Sequence, residues 1–275
     1  MSGDARSAPP VPVRTAPLRR WYRANRRLAL GVAGIVSVLV PWEILVRTRM
    51  VKAILTSSPS EVAATFASEV QRGSLWTDVR ATFAVWAVGF ALAAVFGILI
   101  GLVAGWFRRV SYVANPWLNV LYAAPELAFV PIFILWFGIG FGFKVFIVFL
   151  AALFFISINT IAGVHATEER FLAVAQTFGA SRLTIFRTIV LPGSVPYIMT
   201  GLRQGASRAV VGVVAAEFIS SNEGLGFLII LSGQTLNTSR VMVGIVILAA
   251  FGILTGEVFR RIEQRFDVWR REANA

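Results

Sequence analysis

The 275-residue chain contains no cysteine, a single histidine (His165) and only two lysines among its 26 basic residues. Without cysteine, the chain cannot form disulfides, bind an iron–sulfur cluster or use thiol catalysis. One histidine gives no histidine-rich metal site, so we predict that this chain itself binds neither a metal nor a cofactor. Charged residues are scarce as well, because they form 15% of the chain against about 25% in soluble domains.

Apolar residues form 57% of the chain, and its mean hydropathy is +0.73. Disorder is excluded, since a disordered chain needs low hydrophobicity and high net charge. Six apolar runs are long enough for a helix to cross a bilayer, which takes about 20 residues. They are 28–46, 82–105, 117–137, 143–163, 195–219 and 241–259. The pattern predicts an all-α polytopic membrane protein with six transmembrane helices.

The first apolar run follows a basic stretch, as the core of a signal peptide does. Its 19 residues exceed the usual core of about 7–15 residues, and no clear Ala-x-Ala cleavage site follows it. We therefore interpret this run as an uncleaved first transmembrane helix.

The basic residues give the chain a net charge of +12, which can indicate nucleic-acid binding. They lie at the ends of apolar runs and do not form one basic surface with interleaved aromatics, so we predict no nucleic-acid partner. In a six-span topology, 17 of them fall on the side of both termini and seven on the other side. Positive charge favours the cytoplasmic side, so both termini are predicted to be cytoplasmic.

These observations divide the chain into five regions. The predicted regions are a disordered basic cytoplasmic tail at 1–27, the first transmembrane helix and its outer flank at 28–54, an external amphipathic connection at 55–81 with a helix near 60–70, a core transmembrane domain at 82–263, and a cytoplasmic tail at 264–275.

Small residues recur every four positions in the second apolar run. They are Gly89, Ala93, Gly97, Gly101 and Gly105. Such a face lets two helix backbones approach closely in lipid, where no hydrophobic force joins helices. The pairs Gly201–Gly205 and Gly252–Gly256 have the same spacing in later runs. Packing within the chain is the favoured interpretation, and contact with another subunit is the alternative.

Polar residues inside the apolar runs indicate a second feature. Pro125 and Pro131 remove helix hydrogen bonds and predict a break in the third run. Charged residues at membrane depth are costly and normally face the interior of a helix bundle. The candidates for a polar translocation pathway are Glu126, Arg203, Arg208 and Glu217. The alternative is that these groups pair statically and hold neighbouring helices together.

The longest predicted cytoplasmic connection, 165–192, contains two short amphipathic helices. Phe171, Val174, Ala175 and Phe178 share one face of the first helix, and Gly179 can cap its end with a left-handed conformation. Ser181 can cap the start of the second helix, in which Leu183, Phe186 and Val190 share a face. Pro192 and Pro196 are expected to stop that helix and restart the chain as the fifth span. The pair either rests on lipid headgroups or docks in another protein.

This connection resembles the cytoplasmic signature of binding-protein-dependent ABC permeases. That signature is Glu-Ala-Ala, three residues, Gly, nine residues, Ile, one residue and Leu-Pro. The chain has Ala173-Val174-Ala175, then Gly179, then Ile189-Val190-Leu191-Pro192 at the same spacings. It departs from the signature at Ala173, where the family often has glutamate, and at Val174. The residues that the resemblance assigns to ATPase coupling are Ala173, Ala175, Phe178, Gly179, Ala180, Ser181, Ile189, Leu191 and Pro192.

Further motifs look like the nitrate, sulfonate and taurine branch of that family. They are Pro59-Ser60-Glu61-Val62, Trp136-Phe137-Gly138-Ile139-Gly140, Gly179-Ala180-Ser181-Arg182, Pro196-Tyr197-Ile198-Met199-Thr200-Gly201-Leu202-Arg203, Ala216-Glu217-Phe218 and Gly224-Leu225-Gly226. The resemblance covers residues from about 55 to 270.

The resemblance implies a permease subunit like those of type I ABC importers, in a bacterial inner membrane. Its implied partners are a second copy of the chain, two ATPase subunits that bind ATP and magnesium, and an extracytoplasmic solute-binding protein. The chain has no P-loop sequence and no nucleophile–base pattern, so we predict that it is not an enzyme.

The implied substrate is a small anion such as a sulfonate, taurine or nitrate. A neutral or cationic heterocycle, such as a thiamine-precursor pyrimidine, is the alternative. An ion-coupled secondary transporter is the alternative class, although the two halves of the chain show no internal repeat.

Overall fold

A computed structural model describes residues 26–50, 56–124, 126–220 and 222–266. The side chains of 26–29, Glu126 and Phe266 are outside this description. The predicted tails at 1–27 and 264–275 therefore lie almost entirely outside the described residues, and so does Pro125. The described residues are helical, without any strand, and form two units, Met1–Ser60 and Glu61–Ala275.

The first unit consists mainly of helix α1, Arg26–Arg47. Its residues 30–47 are long and apolar enough to cross a membrane, which agrees with the predicted first span. At its end the Glu43 carboxylate accepts hydrogen bonds from the backbone nitrogen of Ser60 (3.0 Å) and from its hydroxyl (2.7 Å). Glu43 also pairs with Arg47, one turn further along the helix. These contacts hold Ser60 against the last turn of α1.

The remaining helices follow in chain order. They are α2 (Pro59–Arg72), α3 (Ser74–Trp106), α4 (Arg108–Ala123), α5 (Val130–Phe137), α6 (Phe141–His165), α7 (Glu169–Thr177), α8 (Arg182–Ile185), α9 (Leu191–Ile219), α10 (Leu225–Gln234) and α11 (Thr238–Phe266). A 3-10 turn, Glu126–Phe129, precedes α5, and a π-helical segment, Phe186–Val190, joins α8 to α9.

The candidate membrane spans agree in number with the sequence prediction. Five helical segments are long and apolar enough to cross a bilayer, and a bent pair gives a sixth if it counts as one span. That pair is α4 followed by Leu127–Phe137, with an angle of 84° between its halves. The predicted break in the third span is therefore present. Helix α2 confirms the amphipathic helix expected near 60–70.

The structure differs from the sequence prediction at three points. Helix α3 begins at Ser74, so the end of the predicted external connection belongs to the second long helix. Helix α10 is not among the predicted spans, because its ten residues are too few to cross a membrane. Pro192 does not stop a helix, since the helical segment runs on from Arg182 to Ile219. Pro192 lies in the first turn of α9, where its missing N–H and fixed φ are tolerated.

Helix α6 lies at the centre of the core, between α3 and α9. The glycine face of α3 packs on it: a Cβ placed on Gly89 or Gly105 would lie 2.7 Å from the Cβ of Val148 or Val164. From the other side, a Cβ on Gly201 or Gly212 would lie 2.9 Å from Asn159 or Ala151. The small-residue faces of α3 and α9 thus allow backbone approach within this chain.

Direction along the helices follows from the same contacts. From Gly89 to Gly105 the α3 residues meet α6 residues in ascending order, Val148, Ile156, Thr160 and Val164, so the two helices run parallel. From Gly201 to Gly212 the α9 residues meet α6 residues in descending order, so these helices run antiparallel. By contrast, no described atom lies within 4 Å of a Cβ placed on Gly252 or Gly256.

Candidate functional site

The connection between α6 and α9, which we call the elbow (residues 165–192), has the predicted local caps. Gly179 ends α7 with a positive φ of 73°, a conformation that favours glycine. The Gly179 nitrogen donates to the Gln176 carbonyl (2.9 Å), and the Ala180 nitrogen donates to the Ala175 carbonyl (3.0 Å). This is a Schellman cap. The Ser181 hydroxyl then accepts a hydrogen bond from the Thr184 nitrogen (3.2 Å) and begins α8.

The inner side of the elbow is fixed to the ends of α3 and α6. Its apolar residues pack on a cluster that includes buried Val164, at the end of α6, and Trp106, at the end of α3. The Trp106 and Phe186 rings have centroids 5.2 Å apart. The elbow residues in the cluster are Leu172, Ala175, Ala180, Ile185, Phe186, Ile189 and Val190. The membrane helices and the elbow therefore share one packed apolar core.

The outer side of the elbow carries exposed apolar side chains. Phe178 is 85% exposed, Val174 56% and Phe171 48%. The faces predicted from the sequence need two corrections. In the first helix, Ala175 packs against the membrane helices, whereas Phe171, Val174 and Phe178 are exposed. In the second helix, Leu183 is exposed and Val190 is buried, so the two do not share a face. The short α8 and the π-helical segment rotate the second face, so Ile185 takes the buried position.

The assigned coupling residues are spread over both sides of the elbow. Ala173, Phe178, Gly179, Ser181 and Pro192 are exposed, whereas Ala175, Ala180, Ile189 and Leu191 are half-buried. At the end of the π-helical segment the Leu191 nitrogen donates to the Phe186 carbonyl, five residues back. Glu168 pairs with Arg170 at the start of α7. The exposed residues form the surface that another protein can reach, and the half-buried ones attach that surface to the membrane helices.

Among the intramembrane candidates, Arg203 of α9 pairs with Glu263 of α11. The Arg203 Nε lies 2.8 Å from one carboxylate oxygen of Glu263. The Thr200 hydroxyl donates to the other oxygen (2.7 Å). This arrangement corresponds to the static alternative considered for the buried charges. Glu263 was not among the candidates, because it follows the last apolar run and reads as part of a polar helix end.

Arg208 lies one turn and one residue further along α9 and has a different environment. Its guanidinium carbon is 4.8 Å from the ring centroid of Phe155 on α6, which is a cation–π distance. The Phe155 ring in turn meets Tyr122 of α4 edge to face, with centroids 5.1 Å apart. Arg208 is exposed on the surface of this chain.

Glu217 is buried at the other end of α9, where it holds the start of α10. The Thr82 hydroxyl donates to its carboxylate (2.8 Å), and so does the Gly226 nitrogen (2.7 Å). The Thr82 hydroxyl also accepts a hydrogen bond from the Leu225 nitrogen (2.8 Å), and Asp78 accepts one from the Gly224 nitrogen (2.9 Å). These acceptors satisfy backbone N–H groups that the first turn of a helix leaves without partners.

No sequence motif marks Asp78 and Thr82 of α3 as part of this site. The motifs around Glu217 and Gly224 are the available signal, and nothing in the sequence connects them to the start of α3. The structure does not bring the four pathway candidates into one cluster. Arg203, Arg208 and Glu217 have separate partners, and the Glu126 side chain lies outside the described residues. No group of metal-binding side chains occurs in the part of the chain that the structure describes.

Comparison with known proteins identifies the family. Residues 93–268 match the family described as the binding-protein-dependent transport system inner membrane component. The chain belongs to this family. The permease is thus a component of an ABC transport system and a multi-pass membrane protein, as the elbow motif predicted.

Named relatives of the permease extend over most of its length. SsuC of Bacillus subtilis (strain 168), assigned as an aliphatic sulfonates transport permease protein, is 31% identical over 94% of this chain and 92% of its own. The taurine transport system permease protein TauC of Escherichia coli (strain K12) is 28% identical over 92% and 94%. The formylaminopyrimidine transport permease protein ThiX of Halalkalibacterium halodurans is 31% identical over 86% and 93%.

Solved structures show the same fold. An inward-facing structure of the MetNI methionine ABC transporter contains a chain that matches the permease with a TM-score of 0.59 and 18% identity, over 69% of this chain and 94% of that one. An amino acid ABC transporter crystallised with histidines matches with a TM-score of 0.59 and 17% identity, over 75% and 98%. The predicted fold, an all-α permease of the type I ABC importer kind, is therefore confirmed.

Proposed function

We propose that the permease forms the translocation pathway for a small sulfonate, such as taurine, in an ATP-driven importer. The observation that carries this proposal is its similarity to SsuC and TauC along nearly the whole chain, because both are named for transport of sulfonate compounds. An exposed cation within the fifth span agrees with an anionic substrate. Transport of nitrate or of another small organic anion fits the same charge.

A second candidate is import of a neutral or cationic heterocycle. The similarity to ThiX supports it, since that relative is named for formylaminopyrimidine transport and is 31% identical to this chain. The same assembly and the same elbow serve either substrate. The two candidates differ in whether the solute that must pass Arg208 carries an anionic sulfonate group.

The elbow is the surface on which we place the ATPase subunit. Phe178, Val174 and Phe171 expose apolar area on the cytoplasmic side, where a soluble partner can bury it. Gly179 and Ser181 hold α7 and α8 in a fixed bend, so the docking surface is formed before the partner binds. Ala173 is exposed where the family often has glutamate, so we expect the contact here to depend on apolar area more than on an ion pair.

Coupling follows from the way in which the elbow is attached. Its inner side packs on the ends of α3 and α6, and its second half continues into α9. Movement of the docked elbow therefore displaces three core helices together. We infer that ATP-driven closure of the partner subunits switches the pathway between outward-open and inward-open states in this way.

Two copies of the permease complete the assembly, with both termini in the cytoplasm. The excess of basic residues on the side of the termini supports this orientation. A second copy is needed because Arg208 is exposed in a single chain, and a cation at membrane depth cannot face lipid without a large cost. Two ATPase subunits and an extracytoplasmic solute-binding protein are the remaining partners.

Transport by the reconstituted complex tests the proposal. The permease, its ATPase and its solute-binding protein are incorporated into liposomes, and uptake of radiolabelled taurine and ethanesulfonate is measured with and without ATP. We expect uptake that requires ATP and both partners. Uptake by the permease alone, driven by an ion gradient, would show that it is a secondary transporter. ATP-dependent uptake of a formylaminopyrimidine, without sulfonate uptake, would establish the second candidate.

A further inference from the structure

Polar side chains from three helices meet on an exposed face of the core, midway along the candidate spans. This polar face comprises Tyr122 of α4, Phe155 and Asn159 of α6, and Gln204 and Arg208 of α9. Apart from the Phe155 ring, it consists of groups that donate or accept hydrogen bonds. A lipid-facing surface at this depth is normally apolar, so we expect the polar face to line a water-filled space inside the assembly.

Arg208 carries the only formal charge on the polar face. None of the described carboxylates lies close enough to pair with it, and no described residue accepts a hydrogen bond from its guanidinium. The Arg208 guanidinium carbon lies over the Phe155 ring, 4.8 Å from the ring centroid. A ring is not a hydrogen-bond acceptor of the usual kind, so the guanidinium N–H groups remain as donors that can bind an oxyanion bidentately.

Neighbouring groups complete a binding site for an anion. The Asn159 amide nitrogen donates to the Gln204 side-chain oxygen (3.2 Å) and to the Phe155 carbonyl (2.7 Å). Gln204 therefore uses its oxygen within the chain, and its amide N–H groups remain as donors one helical turn from Arg208. The Tyr122 and Phe155 rings, with centroids 5.1 Å apart, offer apolar surface beside these donors.

We propose that the polar face binds the sulfonate group of the substrate during translocation, with Arg208 as the residue that determines charge specificity. The inference rests on the proposed function and extends it to a binding site. The guanidinium of each copy matches the single negative charge of a sulfonate group. A neutral heterocycle offers no anionic group to the Arg208 guanidinium.

The aromatic rings of the polar face provide a contact surface for the carbon chain of the substrate. An aliphatic sulfonate has a short carbon chain attached to its anionic group, and that chain can lie against the rings of Tyr122 and Phe155. Inorganic anions such as nitrate have no such chain and gain nothing from this contact. The site thus favours a sulfonate group that is attached to a short carbon chain.

Transport kinetics of the complete assembly test this site. Arg208→Gln removes the charge, Arg208→Lys retains the charge without the planar fork, and Arg261→Gln serves as a control. Arg261 is exposed at the end of α11, and its partner Glu257 keeps Arg260 after the change. Ethanesulfonate uptake, basal ATPase activity and the oligomeric mass of the permease are measured for each. We expect Arg208→Gln to lower ethanesulfonate uptake at least about tenfold, Arg208→Lys to be intermediate, and the control to match the unmodified protein.

A second variant tests the site without removing Arg208. Gln204→Glu places a carboxylate one turn before Arg208, where the two groups can pair along the helix. We expect this variant to assemble normally and to lose ethanesulfonate uptake, because the Arg208 guanidinium then pairs with the new carboxylate of its own chain.

Normal uptake by both Arg208→Gln and Gln204→Glu would overturn the inference while leaving the proposed function intact. Loss of the dimer in Arg208→Gln would also overturn it, since Arg208 would then be a subunit contact. Absence of sulfonate uptake by the unmodified complex would instead refute the proposed function.

Discussion

Thr82 and Glu217, 135 residues apart in the chain, are joined by a hydrogen bond of 2.8 Å from the hydroxyl to the carboxylate. Both side chains are buried. The same two groups accept the backbone N–H groups of Leu225 and Gly226, so the end of α9, the start of α10 and the first third of α3 meet at one point. The relationship makes Glu217 a structural acceptor in this chain.

Glu217→Ala should destabilise the permease, because it leaves the Gly226 N–H and the Thr82 hydroxyl without a buried acceptor. Each such group costs about 1–3 kcal/mol. We expect a lower melting temperature in detergent, with Glu169→Ala, an exposed carboxylate at the start of α7, as the control without effect. An unchanged melting temperature would mean that the Glu217 contacts do not hold α10 in place.

Gly97→Val should disrupt the packing of α3 on α6. A Cβ at Gly97 lies 2.9 Å from the Ile156 Cβ, so a branched side chain requires the helices to separate. We expect a melting temperature several degrees lower, consistent with an overpacking cost of about 1–3 kcal/mol. Gly142→Val is the matched control, because no described atom lies within 4 Å of its added Cβ. Equal stability of the two variants would contradict the packing described here.

Gly179→Glu should separate ATP hydrolysis from transport. The positive φ of Gly179 costs a side chain about 1–2 kcal/mol, and the added charge lies on the exposed docking surface. The variant is expected to insert in the membrane but to lose substrate-stimulated ATPase activity in the reconstituted complex. Gly179→Asn is the control, since asparagine tolerates the left-handed conformation and adds no charge. Normal stimulated activity in Gly179→Glu would refute the docking role of the elbow.

Arg203 and Glu263 should show energetic coupling in a double-mutant cycle. The pair joins α9 to α11 with an N–O distance of 2.8 Å, and the Glu263 side chain is largely shielded from solvent. We expect Arg203→Gln and Glu263→Gln each to lower thermal stability, and the double variant to lose less than the sum. The coupling should be about 0.5–3 kcal/mol. Additive effects would show that the two groups act independently.

Local sequence patterns were enough to predict the elbow caps. The conformation of Gly179 and the hydrogen bond of Ser181 depend only on residues within one or two turns. The four-residue spacing from Gly89 to Gly105 likewise marks a face for close packing, since one helix defines that face alone. The spacing does not identify α6 as the partner, because helix pairing depends on contacts distant in sequence.

The features that could not be predicted from the sequence depend on contacts between residues that are distant in the chain. The Thr82–Glu217 contact depends on how α3 and α9 pack, and neither residue has a neighbour in sequence that signals it. Pro192 was expected to end a helix because it lacks an N–H, but the preceding π-helical segment places it in a first turn where that donor is not needed. Such an adjustment involves the whole helix and cannot be inferred from the proline alone.

The helical segment from Arg182 to Ile219 contains 38 residues, so it is about 57 Å long at 1.5 Å per residue. Arg208 lies 26 residues from the start of this segment in the elbow, or about 39 Å along its axis. A tilt of about 10° at the elbow therefore moves the guanidinium sideways by about 7 Å. The length of this lever means that a small rotation at the elbow is sufficient to expose or withdraw the Arg208 charge.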